Sequence, residues 1–125
     1  MMGKGQRRER QCKAIYEAAG FAVAHPERAK FGDNDLFNQF DLLAMQPGHR
    51  PRFVQVKSNT ATGIRTMQHD LPAFFAFGYC TAEYAVGHDN EGWRLIAVLP
   101  DTTEVLYDER EQDCSMGEGL TAYLS

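Results

Sequence analysis

The pattern that most restricts this chain is an apolar hairpin, "FDLLAMQPGHRPRFVQVK", from Phe40 to Lys57. Two alternating arms, residues 38–46 and 51–57, flank Pro47, Gly48 and His49, a tripeptide with strong turn preference. If those three residues form the loop, Gln46 faces Arg50, and counting back sets Asp41 opposite Gln55. Strand side chains alternate between faces. Phe53, Gln55 and Lys57 therefore share one face and Val54 and Val56 the other, while Asp41 travels with Leu43 and Met45. Directly opposed Cβ atoms lie about 4.5–5.5 Å apart, so Asp41, Gln55 and Lys57 should form one cluster. A slip of one residue would scatter it. Burying a carboxylate, an amide and an ammonium without partners is costly, so something should be bound there.

The remaining sequence supplies the frame. Cys12, Ile15, Tyr16 and Ala19 fall at i, i+3, i+4 and i+7, which predicts a helix from about residue 5, stopped by Gly20. "FAVAH" reads as a short strand, and residues 26–37 as a loop. Residues 58–65 read as a second loop, and residues 66–77 as a helix that Pro72 should bend or split. "YCTAEYAVG" and "WRLIAVLP" read as strands joined by "HDNEG". Beyond Pro100 a strand at 104–107 and a terminal helix are the weakest expectations. The order α-β-β-β-α-β-β predicts an α/β protein with a mixed sheet flanked by helices.

Charge is unevenly spread. Net charge is −4, yet residues 1–30 carry seven Lys and Arg against three Glu, and residues 101–125 carry seven acids against Arg110 alone. A phosphate-binding face at one end and an acidic tail at the other fit that asymmetry. No apolar run approaches the ~20 residues of a membrane span, and the basic N-terminus lacks the apolar segment of a secretory signal. Cys12, Cys80 and Cys114 form neither a metal motif nor a disulfide framework. A cytoplasmic protein without a membrane partner is expected, built as a single domain over residues 1–125 with its core at 3–99 and an acidic extension at 100–125.

Glu9 belongs near the cluster. At ~100° per residue it lies about 80° from the centre of the first helix's apolar stripe, at the margin of the buried face. Two acids, an amide oxygen and an ammonium suit a hard divalent cation. Mg²⁺ takes oxygen ligands and typically one or two carboxylates. It polarises phosphoryl oxygens and acidifies bound water, while Lys57 would orient that water or neutralise developing charge. The chemistry expected is metal-assisted phosphodiester hydrolysis.

Glu9, then Asp41, then Gln55-Val56-Lys57 closing the next strand resembles the PD-(D/E)XK nuclease core, as a QxK variant. The segments "KGQRRER", "AAGFAV", "FDLLAM", "VQVKSN", "PAFFAFG" and "GWRLIAV" follow in the order of archaeal and viral Holliday junction resolvases. The resemblance covers residues 3–99 and implies a restriction-endonuclease-like fold. It implies Glu9, Asp41, Gln55 and the Val56 carbonyl as metal ligands, with Glu9, Asp41, Gln55 and Lys57 as the catalytic set. Ser58 and Gln68 would support the site. Lys4, Arg7, Arg8, Arg10 and Lys13 would bind the DNA backbone. Mg²⁺ would be the cofactor, with Mn²⁺ able to substitute. The partner would be branched DNA, a four-way junction held by a homodimer.

Two departures stand out. Gln55 occupies a position usually held by Asp or Glu, which removes a charge from the metal site. The stretch "FGDNDLFNQ" before Asp41 is longer than expected; its Asp33 or Asp35 could supply a replacement carboxylate, but both better suit a turn or cap. A nucleic-acid-binding module with weakened chemistry and a flap- or end-processing nuclease are the alternatives to a junction resolvase.

Overall fold

The computed structural model describes residues 4–25, 39–111 and 119–125, the Lys4 side chain excepted. The expected loop at 26–37, Asp33, Asp35 and Cys114 lie outside the described residues.

The first helix, α1, runs Lys4–Ala18. Its Cys12, Tyr16 and following Ala19 are buried, with Ile15 packed beside them, as the stripe requires. Gly20 ends the helix with φ 102°, the left-handed geometry that glycine adopts without steric cost. A Cβ there would stand 2.6 Å from Gln46 Nε2, so the end of the helix is pressed against the hairpin it positions.

Strand β1 (Ala22–Ala24) leads into β2 (Leu42–Met45) and β3 (Arg52–Ser58). Helices α2 (Ile64–Asp70) and α3 (Ala73–Ala76) then carry the chain across one face to β4 (Thr81–His88), β5 (Gly92–Val98) and β6 (Thr103–Asp108). A short 3₁₀ turn at Glu109–Glu111 and α4 (Gly119–Leu124) follow. Pro72 splits the expected helix: Leu71 before it is extended (ψ 131°) and Pro72 caps α3 from outside (ψ 147°), because the proline ring disfavours a helical residue ahead of it.

The six strands lie in sequence order. Only β3 and β4 pair in parallel; every other neighbouring pair is antiparallel. This is the mixed sheet the element order predicts. Each face has its own core. Leu42, Ala44, Val54, Val56, Ala85 and Leu95 pack under α1, and Phe40, Met67, Phe75, Tyr84, Val86 and Ile96 pack under α2 and α3. Fully burying each larger apolar side chain contributes about 1.5–3 kcal/mol.

The core does not stop at residue 99. Tyr107, Leu120 and Leu124 join Trp93 and Leu95 on the α1 face, so the acidic C-terminal stretch supplies the sixth strand and a helix packed on α1. The strand expected from residue 38 begins only at Leu42, because Asp41 forms a bend.

One buried polar group went unforeseen. Glu83, 0% exposed in the middle of the sheet, is held by Arg52 through two hydrogen bonds of 3.0 Å. The hydroxyls of Thr81 and Tyr16 donate to it at 2.5 and 3.3 Å. The arrangement satisfies a carboxylate that would otherwise be prohibitive to bury.

Candidate active site

The hairpin has the register its loop length dictates: Leu42 opposite Val54, Leu43 opposite Phe53, Ala44 opposite Arg52. The pairing ends there: Asp41 forms a bend, and Phe40 and Leu42 on either side of it enter the cores of opposite faces, so the expected pairing of Asp41 with Gln55 is not part of the ladder. Asp41 sits where the two strands part. Its N–H donates to the Val54 carbonyl at 2.9 Å, and its Oδ2 accepts the Val56 N–H at 2.8 Å. The side chain thus takes the place of a main-chain acceptor, in a charge-assisted bond of the stronger kind. A strand residue presents its N–H and C=O to the same neighbour, so the Val56 carbonyl lies on the Asp41 side of β3.

Gln55 and Lys57 lie on the α2 face with Phe53, while Val54 and Val56 are buried on the α1 face. Gln55 Oε1 is buried and accepts no hydrogen bond. Leaving such an acceptor unpaired costs about 1–3 kcal/mol. An amide oxygen with no donor, on the residue before the one whose N–H holds the Asp41 carboxylate, has the chemistry of a hard-cation ligand, so the donor types present fit Mg²⁺. The set is light in charge: among the described residues, no three or more His, Cys, Asp or Glu side chains are gathered in a position to hold a metal. In such a set Asp41 and Glu9 would bring the charge, and Gln55 and the Val56 carbonyl neutral oxygens.

The electrostatics converge on the same corner. Burial pushes the Cys12 thiol well up, and the carboxylates of Glu83, Asp41 and Glu9 push it further. Of these three, Glu83 is paired with Arg52. On the opposite face burial raises the Tyr84 phenol, and Asp41 raises it again. The Asp41 charge is thus felt by groups on both faces of the sheet. Glu9 is half-buried on α1.

The basic residues separate into two groups. Arg7 and Arg10 are exposed and Lys13 is partly so. Arg8 is committed to the fold, its side chain only 13% exposed. It pairs with Asp89 at 2.5 Å, donates to Ser58 Oγ at 3.3 Å and lies over the Trp93 ring. Gly87 makes room for it, since a Cβ there would come within 2.9 Å of the guanidinium. Ser58 thus receives Arg8. Gln68 is not gathered with the cluster: its amide donates to the carbonyls of Leu99 and Thr102 at 3.1 and 3.0 Å. That turn joins β5 to β6 at the end of the sheet away from Lys57, so Gln68 fastens a distant turn.

Asn59 and Asp89 escaped sequence reasoning. Asn59, at φ 66°, exchanges hydrogen bonds with Asp89 at 2.9 and 3.1 Å and closes the strand ends beside Lys57. An asparagine straight after a strand was the available signal, since Asn tolerates left-handed geometry.

These features define the class: a restriction-endonuclease-like α/β fold, a mixed sheet with flanking helices and a polar cluster where a central hairpin opens. A solved structure with this fold is that of Hjc from Archaeoglobus fulgidus, a Holliday junction resolvase from an archaeal hyperthermophile. It superposes with a TM-score of 0.55 at 22% identity, over 75% of this chain and 77% of that one. At that identity the likeness is one of fold. No protein-family model and no curated protein matches the sequence. Among the described residues, no helix is long and apolar enough to cross a membrane.

Proposed function

We propose that this chain is a metal-dependent, structure-selective DNA endonuclease, and that its substrate is a four-way junction. The observation that carries the reading is the orphaned Gln55 Oε1 one residue before Val56, whose N–H Asp41 holds, in a fold shared with a junction resolvase. Asp41, Gln55, the Val56 carbonyl and Glu9 would hold Mg²⁺ or Mn²⁺. A bound divalent ion supplies Lewis-acid polarisation of a phosphoryl oxygen and a more acidic water.

The chain's own residues do the rest. Asp41 is held by the Val56 amide, which fixes its carboxylate in place ahead of the reaction. Lys57 follows two residues after Gln55 on the same face. Its ammonium would donate to the attacking oxygen or to the phosphate oxygen that gains charge. Arg7, Arg10 and Lys13 would contact backbone phosphates, with Lys4 extending the same basic segment; this positions DNA without reading sequence. Junction selectivity would arise from two copies of the chain presenting paired sites at a fixed spacing.

The test is a panel of four-way junction, flap, duplex and single-stranded DNAs incubated with Mg²⁺ or Mn²⁺, alongside Asp41→Asn. Junction cleavage that needs metal and disappears in the variant supports the reading. Tight binding without cleavage would leave a binding module whose chemistry lapsed with the acid missing at position 55, and preferred cutting of flaps would move the substrate.

A further inference from the structure

A second polar site lies on the same sheet face, across β4 from Lys57. A pocket of about 440 Å³ opens over β4–β6, a volume within the usual range for small-molecule sites. Val86, Ile96 and Val105 form its floor, and His88, Arg94 and Arg110 stand at one end. Asn59 and Thr60, just past Lys57 in the chain, form part of its rim.

The cationic end is incompletely satisfied. Arg94 Nε and His88 Nε2 are buried and make no hydrogen bond. The charged neighbours are Asp108 and Glu91. Asp108 is gripped by Arg110 at 2.9 and 3.1 Å but approaches Arg94 only to 3.8 Å. Glu91 lies 3.9 Å from Arg110. Asp108 thus anchors Arg110 and leaves Arg94 with donors to spare.

Register fixes the distance to the candidate active site. Lys57 pairs with Val86, and Val86 pairs with Arg94, so Lys57 and Arg94 flank Val86 on one face. At about 4.8 Å per strand their backbones stand about 10 Å apart, roughly three nucleotides of rise along one duplex strand.

We infer that this pocket is a subsite for a nucleotide a few positions along the strand from the reacting phosphate, its phosphate on Arg94 and Arg110 and its sugar and base over the Val86–Ile96–Val105 floor. The inference rests on the nuclease reading above and adds a place where the substrate strand is held. A guanidinium fork matches phosphate geometry, and an apolar floor beside it suits a nucleoside better than a bare anion.

The test uses the full chain, a fluorescent four-way junction and anisotropy in metal-free buffer across a salt series. Arg94→Gln should raise Kd about tenfold and lower the salt slope by about one. Val105 is exposed on β6, so its variants keep the fold: Val105→Glu should weaken binding at least tenfold and Val105→Lys should tighten it. Circular dichroism checks folding, and if Arg94→Gln unfolds, the Val105 pair decides. All folded variants binding within twofold of the parent overturns the subsite. A deoxynucleoside monophosphate and inorganic phosphate are titrated in parallel. Saturable binding of either, with DNA affinity indifferent to Val105, assigns the pocket to a free ligand and also overturns it. Junction cleavage with Mg²⁺ is scored on the same samples. A pocket response without cleavage sinks the nuclease reading alone; cleavage without a pocket response sinks the subsite alone.

Discussion

Asp41 Oδ2 accepts the main-chain N–H of Val56 at 2.8 Å, so the carboxylate that would carry the metal also terminates the β2–β3 ladder. Structure and chemistry are separable at this position. Asp41→Asn retains an oxygen for the Val56 amide and should fold normally, but without the charge it should cleave on the order of 100-fold more slowly or not at all, with junction binding retained. Asp41→Ala should in addition cost about 1–3 kcal/mol in a urea melt, by stranding the amide. Normal cleavage by Asp41→Asn refutes the assignment.

Gln55→Glu restores a negative ligand at a site among whose described residues no three His, Cys or acidic side chains are gathered. Mg²⁺ affinity measured by calorimetry should rise, since ligand charge tunes affinity for hard cations. Equal or weaker affinity removes Gln55 from the ligand set.

Arg52 and Glu83 form a buried pair, Glu83 fully inaccessible. Arg52→Ala should destabilise the fold by about 3–5 kcal/mol, since it leaves an uncompensated charge in the sheet. Adding Glu83→Gln to that variant should recover part of the loss. Denaturant melts of both variants, where additive losses would mean no coupling, decide it.

Arg8 and its neighbours on α1 should respond differently. Arg7→Ala and Arg10→Ala should each weaken DNA binding and lower the salt slope by about one, with unchanged stability. Arg8→Ala removes packing on Trp93 and Gly87 and should instead lower Tm, the lost ion pair with half-exposed Asp89 contributing at most about 1 kcal/mol. A thermal scan that leaves Arg8→Ala unmoved contradicts this.

His88 titrates below its ordinary 6.5, through burial first, then the Arg110 and Arg94 charges, with Asp108 and Glu91 opposing. The folded state therefore binds this proton less readily than the unfolded chain. Above pH ~6.5 the group is neutral in both states and costs nothing; below it, stability should fall as pH drops toward the folded pKa. Unfolding free energies at stepped pH should show that decline, and His88→Gln should flatten it.

The hairpin was legible because three constraints agree on its register: the loop residues, the alternation and the need to bury Leu42, Ala44 and Val54. Cys12, Tyr16 and Ala19 likewise set the buried face of α1 by spacing alone. What stayed hidden depends on contacts distant in sequence. Glu83 looks like an ordinary strand acid until Arg52 arrives from the adjacent strand. Arg8 reads as one more basic residue of a DNA-facing segment, yet Asp89 and Trp93 draw it inward. Gln68 is bound to a turn more than thirty residues on. The Arg94 pocket could not be foreseen, because it exists only once β6 has joined the sheet and the start of α2 lies over the same face.

The lone parallel pairing, β3 with β4, divides the molecule for folding. The β2–β3, β4–β5 and β5–β6 pairs can each zip from a nearby turn, but this seam must wait for a crossover of more than twenty residues to close its loop. Two hairpin lobes should assemble early and dock late, making seam residues such as Val54 and Ala85 slow-phase positions in refolding. Asp41 and Lys57 lie in one lobe and Arg94 in the other. A nucleic-acid strand engaging both would staple the lobes and retard hydrogen exchange along the seam.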